Sequence, residues 1–287
     1  MQIPSIHVLI AVFKETCVGW MRDKAMRLSA ALSLYALLSL ASLLVLALKL
    51  ARTIFHEHLH AGRSIIDEMS ILMGPQVAQS LVPVLESKRA ETSSVGSTIA
   101  TTVLLLFSAT SMFMELQDAM NTIWGMSAKH RTGVKHYIFS RLRSLAVVVG
   151  IEILLLLSMV FATLWVPIAS HLQYLTDWYA ILRNVIAPFV NAALLFAILF
   201  KVLPSADLQW KNVWAGALVA AVLFTAGRYA LILYFRWYPP ASIFGAAGSM
   251  AVVLLWVYYS SFSLFFGAEF TKAWASRQVS RDGKGPS

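Results

Sequence analysis

Six long apolar stretches, at 29–51, 95–114, 145–167, 184–203, 213–235 and 244–270, alternate with segments where polar and charged residues return. A helix needs about 20 apolar residues to cross the hydrocarbon core, and each stretch meets that length. None alternates with a period of two, which sets barrel strands aside. The pattern predicts an all-α polytopic membrane protein with six transmembrane helices. Before the first span, residues 1–28 carry a helical stripe of Ile6, Ile10, Phe13, Cys17 and Trp20, with His7, Lys14 and Arg22 off it. This arm reads either as an amphipathic helix lying in the membrane interface or as a helix packed on the protein's own inner face. The longest loop, 52–94, contains the amphipathic SIIDEMSILMG and then Pro75 and Pro83, the makings of a small helical cap. Residues 275–287 are short and polar and read as a disordered tail.

Composition agrees with the spans. Of the 287 residues 59% are hydrophobic and 13% charged, against about 45–50% and about 25% in soluble domains. The first span starts too late and runs too long for a cleavable signal. Cys17 is the single cysteine, so no disulfide framework or cysteine-based metal site is expected.

The net charge of +9 matters through its placement. Four Lys and Arg residues lie in the arm, five between spans 2 and 3, two at the end of span 4 and in the loop after it (Lys201 and Lys211), and four after span 6 (Lys272, Arg277, Arg281 and Lys284). Those fifteen share one side; the other side holds six, Arg52, Arg63, Lys88, Arg89, Arg183 and Arg236. The bias predicts that both termini are cytoplasmic. It also accounts for the basic excess through orientation and anionic lipid, without a nucleic-acid partner.

Small residues mark where helices can approach. In span 2, Ser94, Thr98, Thr101, Ser108 and Met112 share a face that either packs or lines a polar cavity. Span 5 offers Gly216 and Ala220, and span 6 opens with Gly245, Ala246, Gly248 and Ser249. These predict that spans 5 and 6, joined at Pro239–Pro240, form a close hairpin.

Ionisable groups inside spans are the pointers to function, since each costs free energy in hydrocarbon. Glu152 lies seven residues into span 3, about 10 Å deep, and Arg228 a similar distance from the outer end of span 5. Asn191 in span 4 has the same outer depth. Glu115 and Asp118 close span 2, and Glu269 closes span 6. Arg228 could receive an anionic group or snorkel to the interface, and the inner acids could pair with cytoplasmic cations. Glu152 should be paired or protonated. Gln117 and Asn121, at i and i+4, could hold an inner gate by hydrogen bonds.

Residues 56–60 read HEHLH, so His56, Glu57 and His60 satisfy the pattern in which two histidines share a zinc and the glutamate acts as general base. No third ligand is evident, although Asp67 and Glu68 are near. The plain reading is a polar helix exit; incidental zinc binding and a membrane zinc hydrolase are the chemical alternatives.

Three segments together resemble one family: AALSLYALLSLASLLVLA at 30–47, FMELQDAMNTIWGM at 113–126, and the stretch 203–269. The second carries Leu116, Gln117, Asn121, Ile123 and Trp124. The third carries Pro204, Gly216, Ala217, Tyr234, Gly245, Ala246, Gly248, Trp256, Gly267, Ala268 and Glu269. In order and spacing they resemble the YihY/virulence factor BrkB family of bacterial inner-membrane proteins, long labelled ribonuclease BN. Ser42 departs from the family's usual proline in the first span and removes the kink that residue would cause. The resemblance implies six spans with both termini inside, in the bacterial inner membrane. A metal nuclease needs clustered ligands facing RNA, and the loops on the cytoplasmic side offer only His130 and His136. The expected role is therefore not enzymatic. It is transport or handling of a lipid or anionic solute, with membrane lipids as partners and no cofactor. The alternative is a structural or interaction protein of the cell envelope working through the loop 52–94.

Overall fold

The computed structural model describes residues 6–39, 70, 74–87, 111–126, 150, 153, 182–204, 206, 208–238 and 248–281. The described elements are all helical. Helix α1 (Ile6–Arg22) leads through a two-residue turn into α2 (Ala25–Ser39). Then come α3 (Pro75–Ser87), α4 (111–123), α5 (Ala187–Val202, entered through a π-turn at Leu182–Ile186), α6 (Trp210–Trp237) and α7 (Gly248–Arg281). Among the described residues three helices are long and apolar enough to cross a membrane: Asn184–Val202, Trp210–Trp237 and Gly248–Gln278. These correspond to the expected spans 4, 5 and 6. The expected third span, with Glu152, and the His56–His60 motif lie outside the described residues, as do most of spans 1 and 2.

Helices α6 and α7 form the predicted close hairpin, running antiparallel. Gly216 faces Gly267 and Thr271, while Gly227 faces Tyr259. A Cβ on Gly216 would sit 2.5 Å from the Gly267 carbonyl oxygen, and one on Gly267 would sit 2.6 Å from the Ala220 Cβ. Only glycine permits this approach, and dispersion between the backbones is the gain where lipid supplies no hydrophobic drive. The small residues of α6 are those expected, but on α7 the contact is made by Gly267 and Thr271 near its far end. Gly245 and Ala246 lie outside the described residues, and Ser249 is exposed. Tyr259 adds a strap, its hydroxyl donating to the Leu223 carbonyl at 2.8 Å.

Helix α5 lies antiparallel to α6, and its Phe200 reaches Gly267 of α7. Phe196 meets Phe224 edge-on at 5.8 Å, and Phe224 meets Trp256 of α7 at 6.0 Å, so aromatic rings tie the three helices at mid-length. Helix α4 completes this core with Phe113, Leu116, Met120 and Ile123. At the opposite end Leu81 of α3 and Ala36 of α2 pack against Phe235, Val253 and Val257. Gly74, at φ +98°, starts α3 in a conformation that favours glycine.

Two element bounds differ from the apolar pattern. Helix α4 runs to Ile123, nine residues past the expected end of span 2, so Glu115, Gln117, Asp118 and Asn121 are all helical. Helix α7 continues through 275–281, where the pattern predicts a disordered tail. Polar contacts hold that extension: Arg277 Nε donates to Glu15 Oε2 of α1 at 2.9 Å.

A buried polar corner and a buried arginine strap

The α1–α2 turn is the first piece of the candidate site. Helix α1 ends where the Asp23 N–H bonds the Gly19 carbonyl, and Lys24 then takes φ +53°. This left-handed residue turns the chain sharply, though it is one that non-glycine residues seldom adopt. The turn brings Gly19 and Asp23 against α7 at Glu269. A Cβ on Gly19 would lie 2.5 Å from Glu269 Oε2, so the glycine makes room for the carboxyl group. Glu269 itself is 2% exposed.

Around that carboxyl the charges are close. Asp23 lies against Glu269 and is held by Arg22 Nε at 2.9 Å. Lys272 Nζ is 3.8 Å from Asp23 and donates to the Ile123 carbonyl at the C-terminal end of α4. A cation suits that position, because the last carbonyls of a helix lack backbone donors and carry partial negative charge. Burial pushes the Asp23 carboxyl up, but the Arg22 hydrogen bond, the contact with Glu269 and the charges of Arg22 and Lys272 outweigh it. The group settles below the usual carboxylate range.

This corner keeps polar atoms that the described residues do not satisfy. Glu269 Oε1 and the indole N–H groups of Trp20 and Trp124 are buried and lack hydrogen-bond partners among the described residues. Trp20 is adjacent to Gly19 and packs edge-on against Phe262 at 4.8 Å; Trp124 follows Ile123. Gln117 and Asn121 are buried on α4 and approach the corner from that helix, Asn121 two residues before Ile123.

Arg228 has a different setting. It is 7% exposed on α6, and its Nη2 donates to the Asn184 carbonyl at 3.1 Å. Tyr229 donates to the same oxygen at 3.3 Å and stacks beneath the guanidinium at 4.7 Å. The cause is in the sequence of α5. Pro188 has no N–H, so Asn184, four residues earlier, loses its α-helical donor. The chain there takes the π-turn, and two side chains from α6 serve the freed oxygen. Arg228 is thus buried as a strap between helices.

The expected site residues therefore fall into two groups. Glu269, Gln117 and Asn121 gather in one half with Asp23 and Lys272. Arg228 lies in the other, twelve residues along α6 from the Gly216 level, or about 18 Å. Asn191, half-buried on α5, lies on the Arg228 side of the Phe196–Phe224 contact. Gly19, Asp23 and Pro188 were not singled out by the sequence. The legible signal was Pro188 four residues after a span-initiating Asn184; nothing local ties Gly19 or Asp23 to Glu269. Among the described residues no group of three or more His, Cys, Asp or Glu could hold a metal.

The family model for virulence factor BrkB matches residues 16–287, nearly the whole chain. The chain belongs to the virulence factor BrkB family. Relatives of this BrkB chain are named as UPF0761 membrane proteins. One from Legionella pneumophila is 27% identical over 63% of this chain and 42% of its own. Another, from Glaesserella parasuis, is 25% identical over 63% and 62%. The protein YihY of Salmonella typhimurium is 27% identical over 58% and 56%. The chain thus spans between two fifths and just under two thirds of these relatives. No solved structure matches. Family membership and the apolar helices make this BrkB chain a membrane protein.

Proposed function

We propose that the protein is a six-span inner-membrane transporter, with both termini cytoplasmic, that moves or handles a lipid or anionic solute. The observation that supports this is the burial of an ionisable group in each half of one apolar helix pair, Arg228 on α6 and Glu269 on α7. Such groups are expensive in a membrane and are kept where a polar cargo or an exchanging ion passes. The glycine contacts between α6 and α7 favour the same reading, because smooth backbones can shift against each other with few side chains to repack. In this scheme the Glu269 corner, with Lys272, Gln117 and Asn121, forms the cytoplasmic end, and Arg228 marks the outer half. Glu152 would add a titrating group in the third span.

The test is reconstitution. Vesicles carrying the protein should move a fluorescent-headgroup phosphatidylglycerol between leaflets, or release a trapped organic anion, faster than empty vesicles. Glu269→Gln, which keeps the shape of the side chain, should stop that movement in a protein that remains monodisperse. Wild-type protein no faster than empty vesicles in both assays would overturn the reading.

A further inference from the structure

Helix α1 is divided lengthwise into three faces. Val12, Thr16 and Gly19 are buried against α7. Lys14, Glu15 and Arg22 lie on the polar side. Between these runs the apolar stripe: Ile6 is 72% exposed, Ile10 62% and Phe13 53%. The docking face is thus made of small residues, flanked by Trp20 against Phe262 and by one edge of Phe13 against Phe266 at 5.5 Å, while Ile6, Ile10 and the rest of Phe13 are left bare.

The charges beside that stripe are unequal. Both acids of the segment are engaged, Glu15 by Arg277 and Asp23 by Arg22, each at 2.9 Å. Lys14, Lys24 and Arg27 are exposed and form no ion pair among the described residues. The outward charge is therefore positive. A two-residue turn then leads into α2, where Leu34 and Leu38 are exposed in turn, as lipid-facing residues of a span would be. With 17 residues, and with Lys14 and Glu15 at its middle, α1 is too short and too polar to cross a bilayer.

We propose that α1 lies along the surface of an anionic bilayer, with Ile6, Ile10 and Phe13 in the boundary between headgroups and acyl chains and Lys14, Lys24 and Arg27 holding acidic headgroups. A helix in that setting buries its apolar face about 5–10 Å below the surface, and each cation near an anionic surface strengthens attachment roughly fivefold. The apolar stripe selects a lipid surface over a free anion, since only the former covers hydrocarbon. The inference does not depend on transport.

The test uses the full-length protein in vesicles. Spin labels are placed singly at Ile10→Cys, Phe13→Cys and Lys14→Cys in a Cys17→Ser background, and unaltered Cys17 is labelled as a control on the substitutions. Collisions with oxygen report lipid; collisions with a water-soluble nickel chelate report solvent. Ile10 and Phe13 should favour oxygen several-fold over Lys14, more strongly in phosphatidylcholine mixed with phosphatidylglycerol than in phosphatidylcholine alone. Lys14→Glu, Lys24→Glu and Arg27→Glu together should abolish that lipid dependence. A label at Ile10 as open to nickel as Lys14, or hidden from both probes as beneath a second copy, would overturn the proposal. So would indifference of the wild type to phosphatidylglycerol.

Discussion

Arg228 and Glu269 lie on adjoining helices and are both nearly inaccessible to solvent, yet they are satisfied by different means. Arg228 answers a need created by the backbone of α5, and the Asn184 carbonyl and the Tyr229 ring occupy its guanidinium. Glu269 is made room for by Gly19, faces a second carboxylate at Asp23, and keeps Oε1 without a partner among the described residues. A buried charge that completes a neighbour's hydrogen bonds contributes to the fold. One left partly unmet costs the fold free energy and points to use. Among the described residues the two carboxyl groups at Asp23 and Glu269 have no counterpart beside Arg228, and the proposed function draws on that corner first.

The two groups sit on the paired helices α6 and α7, and the largest effect should come from breaking the contact between them. Gly216→Leu would drive a side chain into Thr271 and the Gly267 carbonyl, at a cost of about 3 kcal/mol. Loss of a monodisperse peak in detergent and a lowered melting temperature would report it. Arg228→Leu strips the Asn184 oxygen of one donor and should cost about 1–3 kcal/mol, with Arg228→Lys intermediate. A Leu variant as stable as the parent would remove the distinction drawn between the two charges. Lys272→Met uncaps the end of α4 and should cost about 1 kcal/mol, read as faster amide exchange around residues 120–124. Lys24→Gly relieves the left-handed turn and should raise stability by about 1 kcal/mol. Smallest of all, Glu269→Gln should stay within about 1 kcal/mol of the parent, because the amide can donate to Asp23 in the place of a carboxyl proton. A large destabilisation there would make Glu269 a structural residue like Arg228.

Much of this was legible from pattern alone. Spans 4 and 5 fall within a few residues of the helices because hydrophobic length is a local property, whereas α7 runs eleven residues past the expected end of span 6. Gly216 and Ala220 were readable as a close-packing face for the same reason. Their partners, Gly267 and Thr271, were not, because pairing depends on how far the hairpin slides before its grooves meet. Glu269 stood out as an acid at a span end, but its setting comes from Gly19 and Asp23, some 250 residues away, joined only by the fold. The stripe on α1 was visible, and the two readings weighed for it describe different sides of one helix. The stripe itself is divided, with Trp20 packed on Phe262 and Phe13 touching Phe266, while Ile6 and Ile10 are bare.

Pro188 has a consequence that reaches beyond its own helix. By withholding one proton from Asn184 it makes a residue some forty positions later answerable to it, so that two distant positions act as a single choice. Restoring an amide at 188 would leave Arg228 overdressed, a guanidinium in oil with less to hold; removing the arginine alone would leave the oxygen to Tyr229. Either change should harm more by itself than in company with the other, and that interdependence is how a chain can lock two membrane helices in register using one missing hydrogen.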